Sequence, residues 1–393
     1  MSHDANVVLR ITAGLLVALL FLVVPVSTHA DCLLACDRVT LIWSKDRRST
    51  EPLFRVANGK KIGYVDAKGT LKIPYRFDFD YNHDWDFVEG LAPVQSGRDW
   101  GFINAQGDMV IPPQFDWAQP FSEGRALVRF SHGGPPYRIG YIDRTGKSVG
   151  TPNLNGAAQP FHEGIAAIEV SDKKWGYMDA SGSLVIEPRF VWARSFSEGL
   201  ARVIENGECE VIEDPCDCMD FKTSFDRNRA LPPCTFSYIN KAGKPVLSGF
   251  QNATEFADGL AAVRSSSAWG YINHEGTIVI AEQFQRARSF SDGLAAVMLA
   301  GTWGFVDKTG RVVIPSQFNN VEDFSEGIAV VWKDQQYSYI DRNGKQLFGR
   351  SFSLATPYVQ GLAHVGLGSR FSGEMGYINR EGKVVYKYSA NER

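Results

Sequence analysis

A short motif recurs nine times between Glu51 and Tyr388, and this recurrence constrains the fold more than any other feature of the chain. Each copy holds a Gly-Leu-Ala-x-Val segment, a Trp-Gly-Tyr-Ile-Asp segment, a glycine turn and a Val-Ile-Pro segment. A period of this length is typical of stacked repeat units that bury their apolar sides against one another. The most regular copies open 34 residues apart, at Gly259, Gly293, Gly327 and Gly361.

The copy from Asp292 to Phe318 predicts three β-strands. Leu294 to Leu299 is apolar on both faces, as expected of a strand that is covered on both sides. Trp303 to Asp307 alternates and forms the second strand. A turn with a left-handed glycine leads to the third strand, Arg311 to Ile314, and the segment beyond it predicts a loose connection.

Small residues at two positions of the repeat predict close packing. Pro315 has no N–H and is expected to end the third strand. An alanine in the first strand indicates two layers that leave room for a methyl group only. A glycine after the tryptophan predicts close approach of another backbone. This glycine recurs at Gly101, Gly176, Gly270, Gly304 and Gly376, with Ser237 and Ser338 in two other copies.

These segments resemble the bacterial WG repeat family. The likeness is carried by Trp-Gly-aromatic, the glycine turn, Ile-Pro and Phe-Ser-Glu-Gly, which recur in that order, as in Trp175-Gly176-Tyr177 and Trp269-Gly270-Tyr271. It implies a β-rich repeat protein, commonly exported, with no assigned reaction and no catalytic residue to carry over. The copies depart from the pattern at the Trp position in Ile62, Ile139, Phe236, Tyr337 and Met375.

The fold class that follows is all-β, with nine tandem three-stranded units of about 34 residues. Three strands are few for a propeller blade, and nine units are many for a closed propeller. We therefore expect an open curved array, with a closed propeller-like ring as the alternative. Its ends would be covered by a cap segment at residues 31–50 and by a polar tail at residues 389–393.

The N-terminus has the pattern of a cleaved signal peptide at residues 1–30. Arg10 precedes an apolar run from Ile11 to Val26, and small residues lead to Ala30. This run is short for a membrane span. We therefore expect an exported protein, periplasmic or secreted, that begins at Asp31 and keeps no stable membrane span.

Six cysteines fit an exported protein and are disulfide candidates. The repeats, at residues 51–203 and 236–388, are interrupted by a Cys-rich insertion at residues 204–235, which could add recognition or only rigidity. Paired Cys-x-x-Cys spacing is absent, so no metal site is expected. The cysteines are Cys32, Cys36, Cys209, Cys216, Cys218 and Cys234.

Repetition of the acidic residues argues against catalysis. An Asp or Asn before each turn favours turn hydrogen bonding, and an acidic residue before each opening glycine recurs too often to be a unique catalytic pair. Motifs such as His-Glu-x-x-His are absent. We expect no enzyme activity and no cofactor, and a net charge of −3 argues against nucleic acid as a partner.

Two tryptophans outside the Trp-Gly position suggest binding. Trp117 and Trp192 share a position that Asn252, Arg286 and Asn320 occupy in other copies. A position that accepts Arg and Asn is expected to face water, so the two indoles are predicted to be exposed platforms. The function expected is a scaffold that binds a protein at or outside the cell envelope, and the alternative is a carbohydrate-binding module that uses both tryptophans.

Overall fold

A computed structural model of the chain describes residues 51–79, 86–130, 138–154, 157–170, 174–205, 234–369 and 373–389. Within these ranges the fold is all-β, with 32 strands and no helix. Accordingly, this part of the chain has no helix long and apolar enough to span a bilayer. The predicted signal peptide, the cap segment, residues 206–233 of the insertion and the tail beyond Ser389 lie outside the described residues.

The strands follow the repeat, and we number the units 1 to 9 along the chain. Units 1 to 3 contain β1 Leu53–Asn58, β2 Lys61–Asp66, β3 Leu71–Asp78; β4 Leu91–Ser96, β5 Asp99–Asn104, β6 Met109–Phe115; and β7 Trp117–Ser122, β8 Arg125–Arg129, β9 Ile139–Asp143, β10 Ser148–Leu154. Units 4 to 6 contain β11 Ile165–Glu169, β12 Trp175–Asp179, β13 Leu184–Phe190; β14 Trp192–Ser197, β15 Leu200–Ile204, β16 Phe236–Ile239, β17 Pro245–Phe250; and β18 Asn252–Ala253, β19 Ala261–Arg264, β20 Trp269–Ile272, β21 Ile278–Phe284. Units 7 to 9 contain β22 Arg286–Ser291, β23 Leu294–Leu299, β24 Thr302–Asp307, β25 Val312–Phe318; β26 Asn320–Val321, β27 Ile328–Lys333, β28 Gln336–Asp341; and β29 Leu354–Ala355, β30 Leu362–Gly366, β31 Glu374–Asn379, β32 Val384–Ser389.

These strands form eight antiparallel sheets, each a short meander of strands that are consecutive in sequence. Seven sheets hold one unit each. The first sheet has six strands and holds units 1 and 2, which are joined through the pair Asp78 and Gln95. The sheets are the blades of a closed propeller-like ring.

Five of the sheets have four strands, so the prediction of three-stranded units is wrong for them. The segment expected to be a loose connection forms a leading strand, as β22 does before β23 in unit 7. Ser291 pairs with Leu294, and the two residues between them, Asp292 and Gly293, have φ angles of 53° and 76°. Two left-handed residues between paired strands make the tight hairpin turn that matches strand twist.

The glycine after the tryptophan faces a β-bulge on the next strand. In unit 7, Trp303 pairs with Phe318 and Phe305 pairs with Ile314, so the one residue between them on β24, Gly304, faces three residues of β25. A Cβ on Gly304 would lie 2.5 Å from the Ile314 carbonyl oxygen. The predicted close approach is therefore confirmed, but Pro315 does not end the strand, because β25 continues through it to Phe318. Proline is accommodated because it lies at a bulge on an edge strand.

The two units with serine at this position have a different facing segment. In unit 5 the facing strand has one residue fewer at the bulge, and Ser237 pairs directly with Ser248. In unit 8, Phe348 and Gly349 have φ angles of 62° and 57°, so the chain leaves the extended path that Ile314 and Pro315 follow in unit 7. Serine therefore occurs in two units whose facing segment departs from the bulge of unit 7.

The core lies between adjacent sheets. Four tryptophans of the Trp-Gly segments are buried and pack with residues of the next unit: Trp100, Trp175, Trp269 and Trp303. The alanines of the first strand are at most 1 % exposed, which confirms the tight layer there: Ala92, Ala126, Ala166, Ala201, Ala261, Ala295, Ala329 and Ala363.

Units 9 and 1 meet and close the ring, so the expectation of an open array is wrong and the alternative is correct. Phe54 and Val65 of unit 1 share an apolar cluster with Leu362 and Tyr377 of unit 9. The Tyr377 hydroxyl donates to the Arg55 carbonyl at 2.7 Å. Closure occurs because the last unit would otherwise expose the apolar face that every other unit buries against its successor.

Candidate functional site

The acidic residues before the opening glycines have a structural role. In each case the carboxylate accepts the N–H of the opening glycine of the next unit, at 2.7 to 3.1 Å. All seven have φ angles between 51° and 56°. We call this set the carboxylate row; its members are Glu89, Glu123, Glu163, Glu198, Asp258, Asp292 and Glu326.

Cations of the next unit reinforce this row at several places. Arg144 donates to the carboxylate and the carbonyl of Glu89, and Arg380 does the same to Glu326. Lys241 lies 3.2 Å from the Glu163 carboxylate. The row therefore ties successive units together, and none of these carboxylates stands out as a unique acid or base.

The Asp or Asn before each glycine turn also has the predicted turn role. Asp307 accepts the N–H groups of Thr309 and Arg311, and Asn273 does the same in unit 6 without a charge. The Thr309 hydroxyl donates to Asp307 as well, and these hydrogen bonds lower the pKa of Asp307 to about 2. A stabilised carboxylate of this kind is a turn anchor and a poor proton donor.

The predicted aromatic platforms are less open than expected. Trp192 is 5 % exposed, so the exposure predicted for it is wrong. Its ring contacts Phe236 edge-on, and the guanidinium groups of Arg194 and Arg202 lie 5.4 and 5.1 Å from its centroid. Trp117 is half-buried against the cores of units 2 to 4. The two indoles lie in different units, 3 and 5, and their role in binding stays a prediction.

Cys234 is buried in the core between units 5 and 6, and the other five cysteines lie outside the described residues. The pairing of the six cysteines therefore stays a prediction. In the described ranges, no three His, Cys, Asp or Glu side chains gather in a way that could hold a metal ion.

Exposed apolar side chains lie on the strands that correspond to the predicted third strand of a copy, namely β3, β6, β13, β17, β21 and β25. All nine exposed large apolar residues of the described chain lie at the first or second position of such a strand. Because the units repeat the same strand order, the first two residues of this strand occupy equivalent places on their blades. We call the set the apolar belt: Leu71, Met109, Val110, Leu184, Val185, Val246, Ile278, Val279 and Val312.

Unit 8 has a cleft of about 200 Å³. Trp332 and Tyr337 pair across β27 and β28, with ring centroids 6.4 Å apart and planes inclined by 36°. Both side chains are half-buried. The remaining lining residues are Gln335, Gln336, Ser351, Phe352, Ser353, Gly368 and Ser369. The cleft therefore combines two aromatic rings with amides and hydroxyls.

Sequence reasoning noticed Tyr337 only as a departure from the Trp position and missed Trp332. A signal was present, because Trp332 precedes Tyr337 by five residues, the same spacing that separates Met298 from Trp303 in unit 7. In an antiparallel pair this spacing places the two aromatic rings opposite each other. Sequence reasoning made no prediction about exposure of the third strand, which lies at the edge of most sheets.

The geometry defines a class: a closed, propeller-like repeat protein built from antiparallel β-sheets. Seven segments of the chain match the WG containing repeat family, at residues 62–97, 100–131, 139–173, 175–209, 236–265, 269–303 and 303–337. Together they cover more than half of the sequence. The chain therefore belongs to the WG containing repeat family, as its motifs indicated.

Among three solved structures that match the chain, the first one below supports the fold. The crystal structure of a eukaryotic initiation factor is 11% identical, with a TM-score of 0.58, and the match covers 87% of this chain and 96% of that chain. The computationally designed Ika8 protein is 11% identical, with a TM-score of 0.42 and coverage of 78% and 95%. BamB from Moraxella catarrhalis is 12% identical, with a TM-score of 0.40 and coverage of 70% and 87%. No curated protein matches the sequence.

Proposed function

We propose that this protein is a non-catalytic scaffold that is exported and binds a protein partner at the cell envelope or outside the cell. The apolar belt is the observation that supports this most. Exposed apolar patches are a mark of interaction surfaces, and single scattered residues are not. Here all nine side chains lie at equivalent places, and Ile278 is 64 % exposed.

The chemistry of the belt favours a protein over a glycan. None of its nine side chains is aromatic, so the belt offers no ring on which a sugar could stack. The strands that carry the belt contain prolines, such as Pro112, Pro188 and Pro315. A proline has no N–H to donate to an added strand. The partner would therefore pack on the side chains of the belt rather than extend a sheet.

The absence of catalysis is proposed from the acidic residues. The members of the carboxylate row all hold the next unit, and the turn aspartates all hold their own turn. Export is proposed from the apolar run Ile11 to Val26 and the small residues before Asp31. Glycan binding through Trp117 and Trp192 has less support, because Trp192 is covered.

Site-specific photo-crosslinking tests the protein-binding proposal. A photo-reactive residue at Val279, in the belt, should give one discrete adduct with another protein in cells that express the full chain. The matched control is the same residue at Ser266, which is exposed in the same unit but lies in the hairpin between β19 and β20, at the opposite end of the strands from Val279. Adding Ile278→Ser and Val312→Ser should remove the Val279 adduct.

Three outcomes would contradict the proposal: no adduct at Val279, equal adducts at Val279 and Ser266, or an adduct that contains only a second copy of this chain. Export is tested separately, by N-terminal sequencing of the protein recovered from outside the cytoplasm. The sequence should begin at Asp31, and an intact Met1 would contradict cleavage.

A further inference from the structure

We propose that the cleft of unit 8 binds one neutral sugar ring. This inference concerns a surface separate from the apolar belt and does not depend on the protein-binding proposal. The cleft lies between the ends of β27 and β28, the segment around Phe352 and the loop after β30 of unit 9.

The cleft exists because unit 8 departs from the repeat at two positions. In unit 7, Trp303 is 4 % exposed and pairs with Phe318 of the third strand. In unit 8 the counterpart of β25 is reduced to isolated bridges: Tyr337 keeps the pairing with Phe352, but Phe348 and Gly349 have left-handed φ angles and interrupt the chain between Gln346 and Phe352. Tyr337 is half-buried there, whereas Trp303 at the same position of unit 7 is buried, and the ring of Trp332 beside Tyr337 is half-buried as well.

The second departure places an indole where units 2 and 7 have a flexible side chain. Trp332 occupies the position of Met298 in unit 7 and Gln95 in unit 2, each of which faces the Trp position across the strand pair. The result is two neighbouring rings in one wall of the cleft. An aromatic wall attracts the C–H face of a sugar ring, which is apolar on its flat side.

The rest of the lining supplies the polar partners that sugar hydroxyls need. Gln335 and Gln336 carry amides that can both donate and accept, and Ser351, Ser353 and Ser369 carry hydroxyls with the same ability. None of the nine lining residues is charged, which favours a neutral ligand. The volume of about 200 Å³ is below the roughly 300–1,000 Å³ of pockets for drug-sized ligands, which limits the occupant to about one ring.

Ligand-observed NMR with the full mature chain tests this inference. The probes are N-acetylchitotriose, maltotriose and cellotriose as neutral sugars, and sialyllactose as a charged one. At least one neutral probe should show saturation transfer to the protons of a single ring. Trp332→Ala should weaken its binding by about tenfold or more, the loss expected when an aromatic contact is removed.

Two further variants separate binding from folding. Gln336→Ala removes a polar group from the exposed wall and should weaken binding without altering the thermal unfolding midpoint. Ile278→Ser, in the apolar belt, should leave sugar binding unchanged. The proposal is overturned if none of the neutral probes shows saturation transfer. It is also overturned if sialyllactose binds as tightly as the neutral probes, or if Trp332→Ala binds the sugar as tightly as the unmodified protein.

Discussion

The hydroxyl of Tyr377 donates a 2.7 Å hydrogen bond to the carbonyl of Arg55, a residue 322 positions earlier in the chain. The matching tyrosines of units 6 and 4 donate in the same way to the leading strand of the next unit, Tyr271 to Arg288 and Tyr177 to Arg194. Arg55 instead lies on β1, because no leading strand precedes β1 in the described part of unit 1. The seam therefore uses the tyrosine of the internal contact with an acceptor on a different strand.

This relationship predicts that the seam contributes like an internal contact. Tyr377→Phe should lower the free energy of unfolding by about 1 kcal/mol, since one buried hydrogen bond is lost. Tyr271→Phe is the internal control and should cost a similar amount. Urea unfolding followed by tryptophan fluorescence measures both, and a Tyr377→Phe variant as stable as the unmodified protein would contradict the closed seam.

The glycine that faces the bulge predicts a sharp difference between two units. Gly304→Ala places a methyl group 2.5 Å from the Ile314 carbonyl oxygen and should destabilise the fold by about 1–3 kcal/mol. Ser338→Ala at the same position of unit 8 should cost less than about 1 kcal/mol, because only weak contacts with Ser351 and Gln346 are lost. Equal thermal midpoints for the two variants would show that the bulge exerts no steric constraint.

The carboxylate row predicts a graded effect of shape and charge. Asp292 has a φ of 53° and accepts the Gly327 N–H at 2.7 Å. Asp292→Asn keeps an acceptor and tolerates the left-handed conformation, so its loss should be small. Asp292→Ala loses both and should cost about 1–3 kcal/mol. Chemical denaturation of the two variants provides the measurement, and an alanine variant as stable as the asparagine variant would remove the row from the account.

Acid unfolding should depend on Asp307. Its pKa falls from 3.8 to about 2 in the folded protein, chiefly through the hydrogen bond from Thr309. A carboxyl group with a lowered pKa stabilises the fold above its unfolded pKa, and this stabilisation is lost as the pH falls from about 4 towards 2. Asp307→Asn should fold, as Asn273 does in unit 6, and should lose less stability over that range. Identical acid profiles for the two proteins would contradict the role assigned to Asp307.

Much of the repeat was predictable because its chemistry is local. The turn role of Asp307, the left-handed Gly310 and the close approach at Gly304 each follow from residue type within a few positions. The leading strands could also have been predicted, since Asp292-Gly293 is a strong hairpin signal between alternating segments. Sequence reasoning considered the acidic residue of that pair as a possible catalytic group and did not consider the pair as a hairpin turn.

Closure and the binding surfaces could not be predicted in the same way. Whether nine units close depends on the small rotation between neighbours, which arises from contacts such as Tyr377 with Arg55 that no local pattern encodes. The exposure of Trp192 was misjudged because Arg202 and Phe236, which cover it, come from other strands. The cleft required knowing that Phe348 leaves the extended path.

The closed ring is tested most directly at its seam, where the hydroxyls of Tyr75 and Tyr386 are hydrogen-bonded to each other. A photo-reactive phenylalanine analogue in place of Tyr386 should crosslink within one molecule to the peptide that contains Tyr75. Mass spectrometry should find this crosslink in the monomer at every protein concentration. Its absence, or a crosslink found only between two copies of the chain, would contradict the ring.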